Sequence, residues 1–122
     1  MAEATRQVME HVRRYVPEPG KAQLGGNSVG TDKTFLARDM PELIEHLHYR
    51  IIDVSTIKEL ARRWYPRAYY QAPKKSGGHR ALADIRESIA ELAYYREAVF
   101  VAPPGPSTDE AREVAARHTA DD

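Results

Sequence analysis

The stretch His48-Tyr49-Arg50-Ile51-Ile52-Asp53-Val54-Ser55-Thr56-Ile57-Lys58-Glu59-Leu60-Ala61-Arg62-Arg63-Trp64-Tyr65-Pro66 changes its periodicity halfway along. Tyr49 to Val54 is β-branched and bounded by turn-prone residues, which predicts a strand. From Ser55 onward, Ile57, Leu60, Ala61 and Trp64 recur at helical spacing. Ser55 is expected to cap that helix, although with Lys58-Glu59 it makes only an approximate capping box. Tyr65-Pro66 closes it. A strand that feeds directly into a helix is half of an α/β unit.

The flanking sequence repeats the alternation. Residues 3 to 15 carry Val8, Met9, Val12 and Tyr15 at helical spacing. Ala22-Gln23-Leu24 reads as a short buried strand with glycines at its exit. Thr31 or Asp32 can begin a helix through Phe35 and Leu36 that stops near Met40-Pro41, and Pro41 suits the first turn of another, with Leu43, Ile44 and Leu47. Residues 66 to 78 read as a loop. A last strong helix from about Arg80 to Arg96 places Leu82, Ile85, Ile89 and Leu92 on one face. The expected class is α/β with a parallel pair of strands. Two strands make a poor sheet, so the chain reads as part of a larger domain. Residues 1–102 form that part, and 103–122 read as a flexible tail holding at most a loose helix.

Composition limits the function. The 122 residues contain 18 basic and 18 acidic side chains and no cysteine. Neutrality argues against coating long nucleic acid, which usually demands a basic excess, but not against a pocket for a short oligonucleotide. Disulfides and thiolate zinc sites are excluded. No stretch is apolar enough for a membrane span and no secretory signal is visible, so a cytoplasmic location is expected.

Three residues suggest chemistry, each beside a plainer reading. Asp32 follows Gly26-Asn27-Ser28-Val29-Gly30-Thr31 at the exit of the first strand, where ligands gather in open α/β sheets. A first-turn aspartate favouring the helix dipole is the plainer role. Asp84 stands close to the apolar face of the last helix, an expensive place for a carboxylate without a partner; the alternative is an exposed aspartate paired with a neighbour. His79 follows two glycines just before that helix and can take a proton from water, or serve as an exposed cap histidine. His46 and His48 are two apart and face away from each other on a helix, so structural roles are favoured over zinc. Lys74-Lys75 and Arg62-Arg63 read as solvated faces. Trp64 reads as core.

Taken together, three segments resemble the oligoribonucleases, the histidine branch of the DEDD exonuclease superfamily. Residues 26–41 are similar to the second exonuclease motif. Residues 48–66 match the central signature. His79-Arg80-Ala81-Leu82-Ala83-Asp84-Ile85-Arg86-Glu87-Ser88-Ile89 matches the third motif with its His-x4-Asp spacing. The likeness covers residues 5 to 102, and the Trp-Tyr-Pro-Arg-Ala-Tyr stretch looks actinobacterial.

The resemblance implies an RNase H-like exonuclease fold, of which this chain would be the C-terminal portion. It implies 3′-to-5′ degradation of short RNAs, dinucleotides above all, to nucleoside 5′-monophosphates by a homodimer using two divalent ions, Mg²⁺ or Mn²⁺. Asp32 and Asp84 would be metal ligands and His79 the general base. Ser28, Arg50 and Ser55 would cap the substrate's 5′ phosphate, with Tyr49 reaching the cap from the partner subunit. The family's first motif is Asp-x-Glu, and no Asp-x-Glu occurs in these 122 residues. Two of the four acidic ligands and the first three strands are therefore expected outside the chain, and the chain alone is expected to be inactive. The alternative is a non-catalytic fragment that dimerises or binds nucleotide.

Overall fold

The structure, a computed structural model, describes residues 2–75 and 81–120. The expected helix from Arg80 and the histidine at 79 begin outside the described residues. The described elements alternate as anticipated: α1 (Ala2–Tyr15), β1 (Leu24–Gly26), α2 (Val29–Asp39), α3 (Pro41–His46), β2 (Ile51–Asp53), α4 (Val54–Trp64), α5 (Pro66–Tyr70), α6 (Ala81–Ala98) and α7 (Thr108–Arg117).

β1 and β2 pair in parallel, Leu24 with Ile51, Gly25 with Ile52 and Gly26 with Asp53. The expected parallel pair is present, with β1 two residues later than Ala22. Parallel pairing brings both strands to their carboxyl ends on the same side, where α2 and α4 begin. Gly26 has φ 156°, and the chain then turns through Ser28 at φ 52°.

Burial is thin and divided. Met9 of α1 packs with Met40 and with Leu43 of α3, supported by Val8, Val12, Leu36 and Leu47. His46 is buried there and its Nε2 lies 2.9 Å from the Val16 carbonyl, a structural histidine as expected. Near the strand ends, Val29, Val54 and Ala61 are buried, and Tyr95 of α6 is fully enclosed.

Several expectations change. Residues 66–70 form a helix rather than a loop, because Pro66 is preorganised for a first turn. The N-cap of α4 is Asp53, whose carboxylate accepts the Ser55 amide hydrogen; Ser55 lies inside the first turn. Within 103–122, Thr108–Arg117 is helical, closed by a reciprocal capping box between Ser107 and Glu110, and exposed along its length. Trp64 is 66% exposed rather than core.

The largest change is on α6. Of Leu82, Ile85, Ile89 and Leu92, expected on one apolar face, the first three are 57–64% exposed and only Leu92 is half-buried. The side that packs toward α4 and β1 carries Ser88, Glu91 and Tyr95, spaced i, i+3, i+7. The apolar stripe of α6 is left uncovered by the described residues.

Because Met9 is almost fully enclosed, Met9→Ala should lower unfolding free energy by about 2–5 kcal/mol. Tyr15→Ala, at a position 69% exposed on the same helix, should change it by less than about 1 kcal/mol. Urea denaturation of the two variants checks this.

Candidate functional site

Local geometry starts at the strand ends. Ser28, just beyond β1, takes a left-handed backbone (φ 52°, ψ 38°) as the N-cap of α2. A non-glycine residue in that region costs about 1–2 kcal/mol and persists only where its surroundings insist on it. Here the Ser28 amide donates to Asp53 Oδ1 at 2.9 Å and to Ser55 Oγ at 3.0 Å. The Ser55 amide also donates to Asp53 Oδ1 at 2.9 Å. One carboxylate at the end of β2 thus collects the amides of both serines, and their hydroxyl oxygens stand 3.2 Å apart.

Behind the serines lies a buried polar group. The Ser55 hydroxyl donates to Asn27 Oδ1 at 3.1 Å. Asn27 Nδ2 donates to Ser88 Oγ at 2.8 Å and to Glu91 Oε1 at 2.9 Å. Glu91 is only 4% exposed. It meets Lys58 of α4 at 2.9 Å through Oε2 and Lys75 at 3.1 Å through Oε1. Burial alone would push the Glu91 carboxyl up; hydrogen bonds from Lys58, Asn27 and Lys75 outweigh it and hold the group below its ordinary value. Lys75, read from sequence as a solvated face, has this specific partner.

The two aspartates flank this network. Asp32 is four residues after Ser28, in the first turn of α2, and exposed. Asp84 is four residues before Ser88, in the first turn of α6, and also exposed. Residues four apart on a helix share a face about 6 Å apart, so each aspartate stands one turn from a member of the network. Oxygen donors of this kind suit hard cations. Among the described residues, however, no three carboxylate, imidazole or thiol groups gather. The donors present do not by themselves make a two-ion centre. His79 lies outside the described residues.

Tyr49 and Arg50 sit elsewhere. They precede β2, whereas Ser55 follows it, and the three residues of that strand span roughly 10 Å. Arg50 Nε donates to the Tyr49 hydroxyl at 3.1 Å, with the guanidinium over the Tyr49 ring at 5.5 Å. Tyr49 stacks on His48 and is 69% exposed. Lys33 of α2 donates to the Tyr49 carbonyl at 2.7 Å. Ser28 and Ser55 are therefore brought together, and Tyr49 and Arg50 form a separate exposed pair at the other end of β2.

Sequence reading missed Asn27, Asp53, Lys58, Lys75 and Glu91. Asp53 could have been found, since a carboxylate ending an apolar strand just before a helix is an N-cap signature. Glu91 could have been found only by choosing the Ser88–Glu91–Tyr95 side of α6 over the more apolar one.

The sequence profile of the RNase T-type exonuclease family, described simply as Exonuclease, matches residues 1–92. The chain belongs to that family. Among proteins of the family, it is 68% identical over 118 residues to the oligoribonuclease of Streptomyces avermitilis and 69% identical over the same length to that of Streptomyces coelicolor. Each match covers 97% of this chain and 59% of the relative. The oligoribonuclease of Mycobacterium avium is 58% identical over 116 residues, 95% of this chain and 54% of that protein. The chain thus spans somewhat over half the length of the curated relatives it matches. The expected resemblance to actinobacterial oligoribonucleases holds.

Two outcomes test the site's construction. Glu91 loses its proton more readily in the folded protein than in the unfolded chain. Its stabilising contribution is therefore complete above about pH 4.3, the unfolded value, and disappears as pH falls through the depressed folded value. Glu91→Gln should be less stable than wild type at pH 7, and the gap should close on acidification below about pH 4, measured by urea unfolding. Ser28→Gly should hold stability within about 1 kcal/mol, because glycine accepts the left-handed backbone. Ser28→Val should lose more than that in the same assay.

Proposed function

We propose that this chain is the C-terminal part of a 3′-to-5′ exoribonuclease of RNase H-like fold, acting in the cytoplasm as a homodimer on short RNAs and releasing nucleoside 5′-monophosphates, with dinucleotides as the preferred substrate. The observation that carries the reading is the Ser28–Ser55 pair at the carboxyl ends of two parallel strands. One member is held in a strained backbone; Asp32 stands one helical turn from it, and Asp84 one turn from Ser88, which shares Asn27 with Ser55. Strain that the surroundings impose collects at functional sites. A pair of hydroxyls is suited to receive a terminal phosphate. A phosphate held at the 5′ end limits the length of chain that fits, which favours dinucleotides.

In this reading Ser28 and Ser55 hold the 5′ phosphate. Arg50 is assigned charge at the same cap and Tyr49 reaches the cap from a partner subunit, a role its exposure allows. Asp32 and Asp84 supply two of the carboxylates for two divalent ions, Mg²⁺ or Mn²⁺, and His79 draws the proton from water. Bound ions of this class stabilise charge on the scissile phosphate. The remaining carboxylates, an Asp-x-Glu pair, come from a segment other than these 122 residues. The exposed stripe of Leu82, Ile85 and Ile89 offers apolar surface for that segment or for the second subunit.

A second reading rests on the same geometry. With hydroxyls paired and carboxylates incomplete, the chain by itself binds nucleotide without hydrolysing it.

Release of nucleoside 5′-monophosphate from dinucleotides, in Mg²⁺ or Mn²⁺, tests both readings. The chain alone should show no turnover. Fused behind the upstream portion of the Streptomyces coelicolor relative, it should turn over, and Asp32→Asn, Asp84→Asn or His79→Ala should each reduce the rate by about 10²-fold or more. Turnover by the fusion that is indifferent to these three substitutions would overturn the assignment. Robust turnover by the chain alone would overturn the claim that its carboxylates are insufficient.

A further inference from the structure

Glu91 is buried, ionised and charge-paired, and the function proposed above gives it no task. Its connections reach three separate stretches of chain. They run to Asn27 in the turn between β1 and α2, to Lys58 on α4, and to Lys75 at the end of the described segment leading toward His79. A buried carboxylate with two lysines is weak evidence for stability, because desolvation consumes most of the Coulomb gain. Its chemistry has a more specific consequence. An ionised carboxylate only accepts hydrogen bonds, whereas an asparagine amide has one end that donates and one that accepts. Facing Glu91, Asn27 must present its nitrogen. Its second N–H goes to Ser88, and its oxygen is thereby turned toward Ser55.

The orientation propagates outward. Asn27 Oδ1 takes the Ser55 hydroxyl hydrogen, so Ser55 Oγ offers its lone pairs inward to the Ser28 amide and to the Ser28 hydroxyl. The Ser28 hydroxyl, on an exposed residue, is then the donor that can rotate from Ser55 toward an incoming anion. Without Asn27 Oδ1 behind it the Ser55 hydroxyl is no longer fixed, and the bond by which its oxygen holds the Ser28 amide loosens.

The geometry points to Glu91 as a positioning residue: through Asn27 it fixes the Ser55 hydroxyl, whose oxygen holds the left-handed Ser28 turn, so that Ser28 is placed to donate to a substrate's 5′ phosphate. This rests on the reading of that pair as the phosphate-holding group, and it separates the two serines, Ser28 touching the phosphate and Ser55 orienting Ser28. No hydrogen bond joins Ser28 to Glu91, so the effect passes through the relay Glu91–Asn27–Ser55.

The test is the affinity of the 122-residue chain for a 5′-phosphorylated dinucleotide relative to the same dinucleotide with a 5′ hydroxyl. Affinities are followed by NMR titration well below the unfolding midpoint of each variant. Wild type should prefer the phosphorylated ligand. Glu91→Gln, whose carbonyl can still accept from Asn27, should keep that preference within about threefold. Glu91→Met, which cannot accept, should lower it about tenfold, the loss of roughly one hydrogen bond to a charged group. Binding of the 5′-hydroxyl dinucleotide should change little in either variant. Should Glu91→Met fail to fold, Asn27→Ala carries the same expectation, since it cuts the relay while leaving the Glu91–lysine pairs. A folded Glu91→Met or Asn27→Ala with the wild-type preference overturns the positioning role alone. A wild-type chain without any preference for the 5′ phosphate overturns the phosphate-holding reading and this inference with it.

Discussion

A single buried carboxylate ties together the end of the molecule at which both strands finish. Glu91 receives Asn27, Lys58 and Lys75, and through Asn27 it reaches Ser88 and Ser55. The two-stranded sheet is too small to impose order on the turns at its carboxyl end. Order there comes instead from two carboxylates, Asp53 at the surface of the turn and Glu91 beneath it. Asp53 gathers the amides of Ser28 and Ser55; Glu91 sets the side chain behind them. A charge placed so deep is tolerated because every oxygen is occupied. No buried side-chain polar atom among the described residues is left without a partner.

This arrangement divides the site into a finished part and an unfinished one. The serine pair is built and cross-braced, at a cost in backbone strain at Ser28. The aspartates are only placed. Asp32 and Asp84 project from first turns on either side of the network, exposed, with no third acidic or imidazole group beside them among the described residues. The uncovered apolar stripe of α6 belongs to the same division, since the helix that presents Asp84 also offers Leu82, Ile85 and Ile89 to something else. Membership of the exonuclease family, together with the 59% of its Streptomyces relatives that the chain spans, gives both observations a common frame.

The period change at Ser55 and the β-branched run before it made β2 and α4 legible, and the strand–helix alternation made the parallel pair legible. Ser28 and Ser55 were singled out together by resemblance, because three motifs stood in order, and the fold brings them side by side. The features that escaped were governed by packing. Hydropathy favoured the Leu82–Ile85–Ile89 side of α6, yet the side packed inward holds Ser88, Glu91 and Tyr95, because polar partners on the β1–α2 turn, α4 and the 71–75 segment satisfy it. Trp64 escaped for a related reason: helical spacing shows that residues share a face, not that anything covers the face. Asp53 and Ser55 exchanged the capping role because the carboxylate, one residue before the helix, can reach two amides at once. The helix at 108–117 was expected at most as a loose one because of its alanine-rich, polar composition, although Ser107 and Glu110 carry the capping-box spacing.

On the proposed reading, the chain builds an anion-holding pair while the carboxylates assigned to metal remain incomplete. A backbone amide NMR map of the 122-residue chain tests it directly, with Mg²⁺ added first and a 5′-phosphorylated dinucleotide second. The account predicts weak, non-saturating shifts near Asp32 and Asp84 in millimolar Mg²⁺, then saturating shifts at Ser28 and Ser55 on adding the dinucleotide. Saturation of Asp32 and Asp84 by Mg²⁺, with Ser28 and Ser55 unmoved by the dinucleotide, would contradict it.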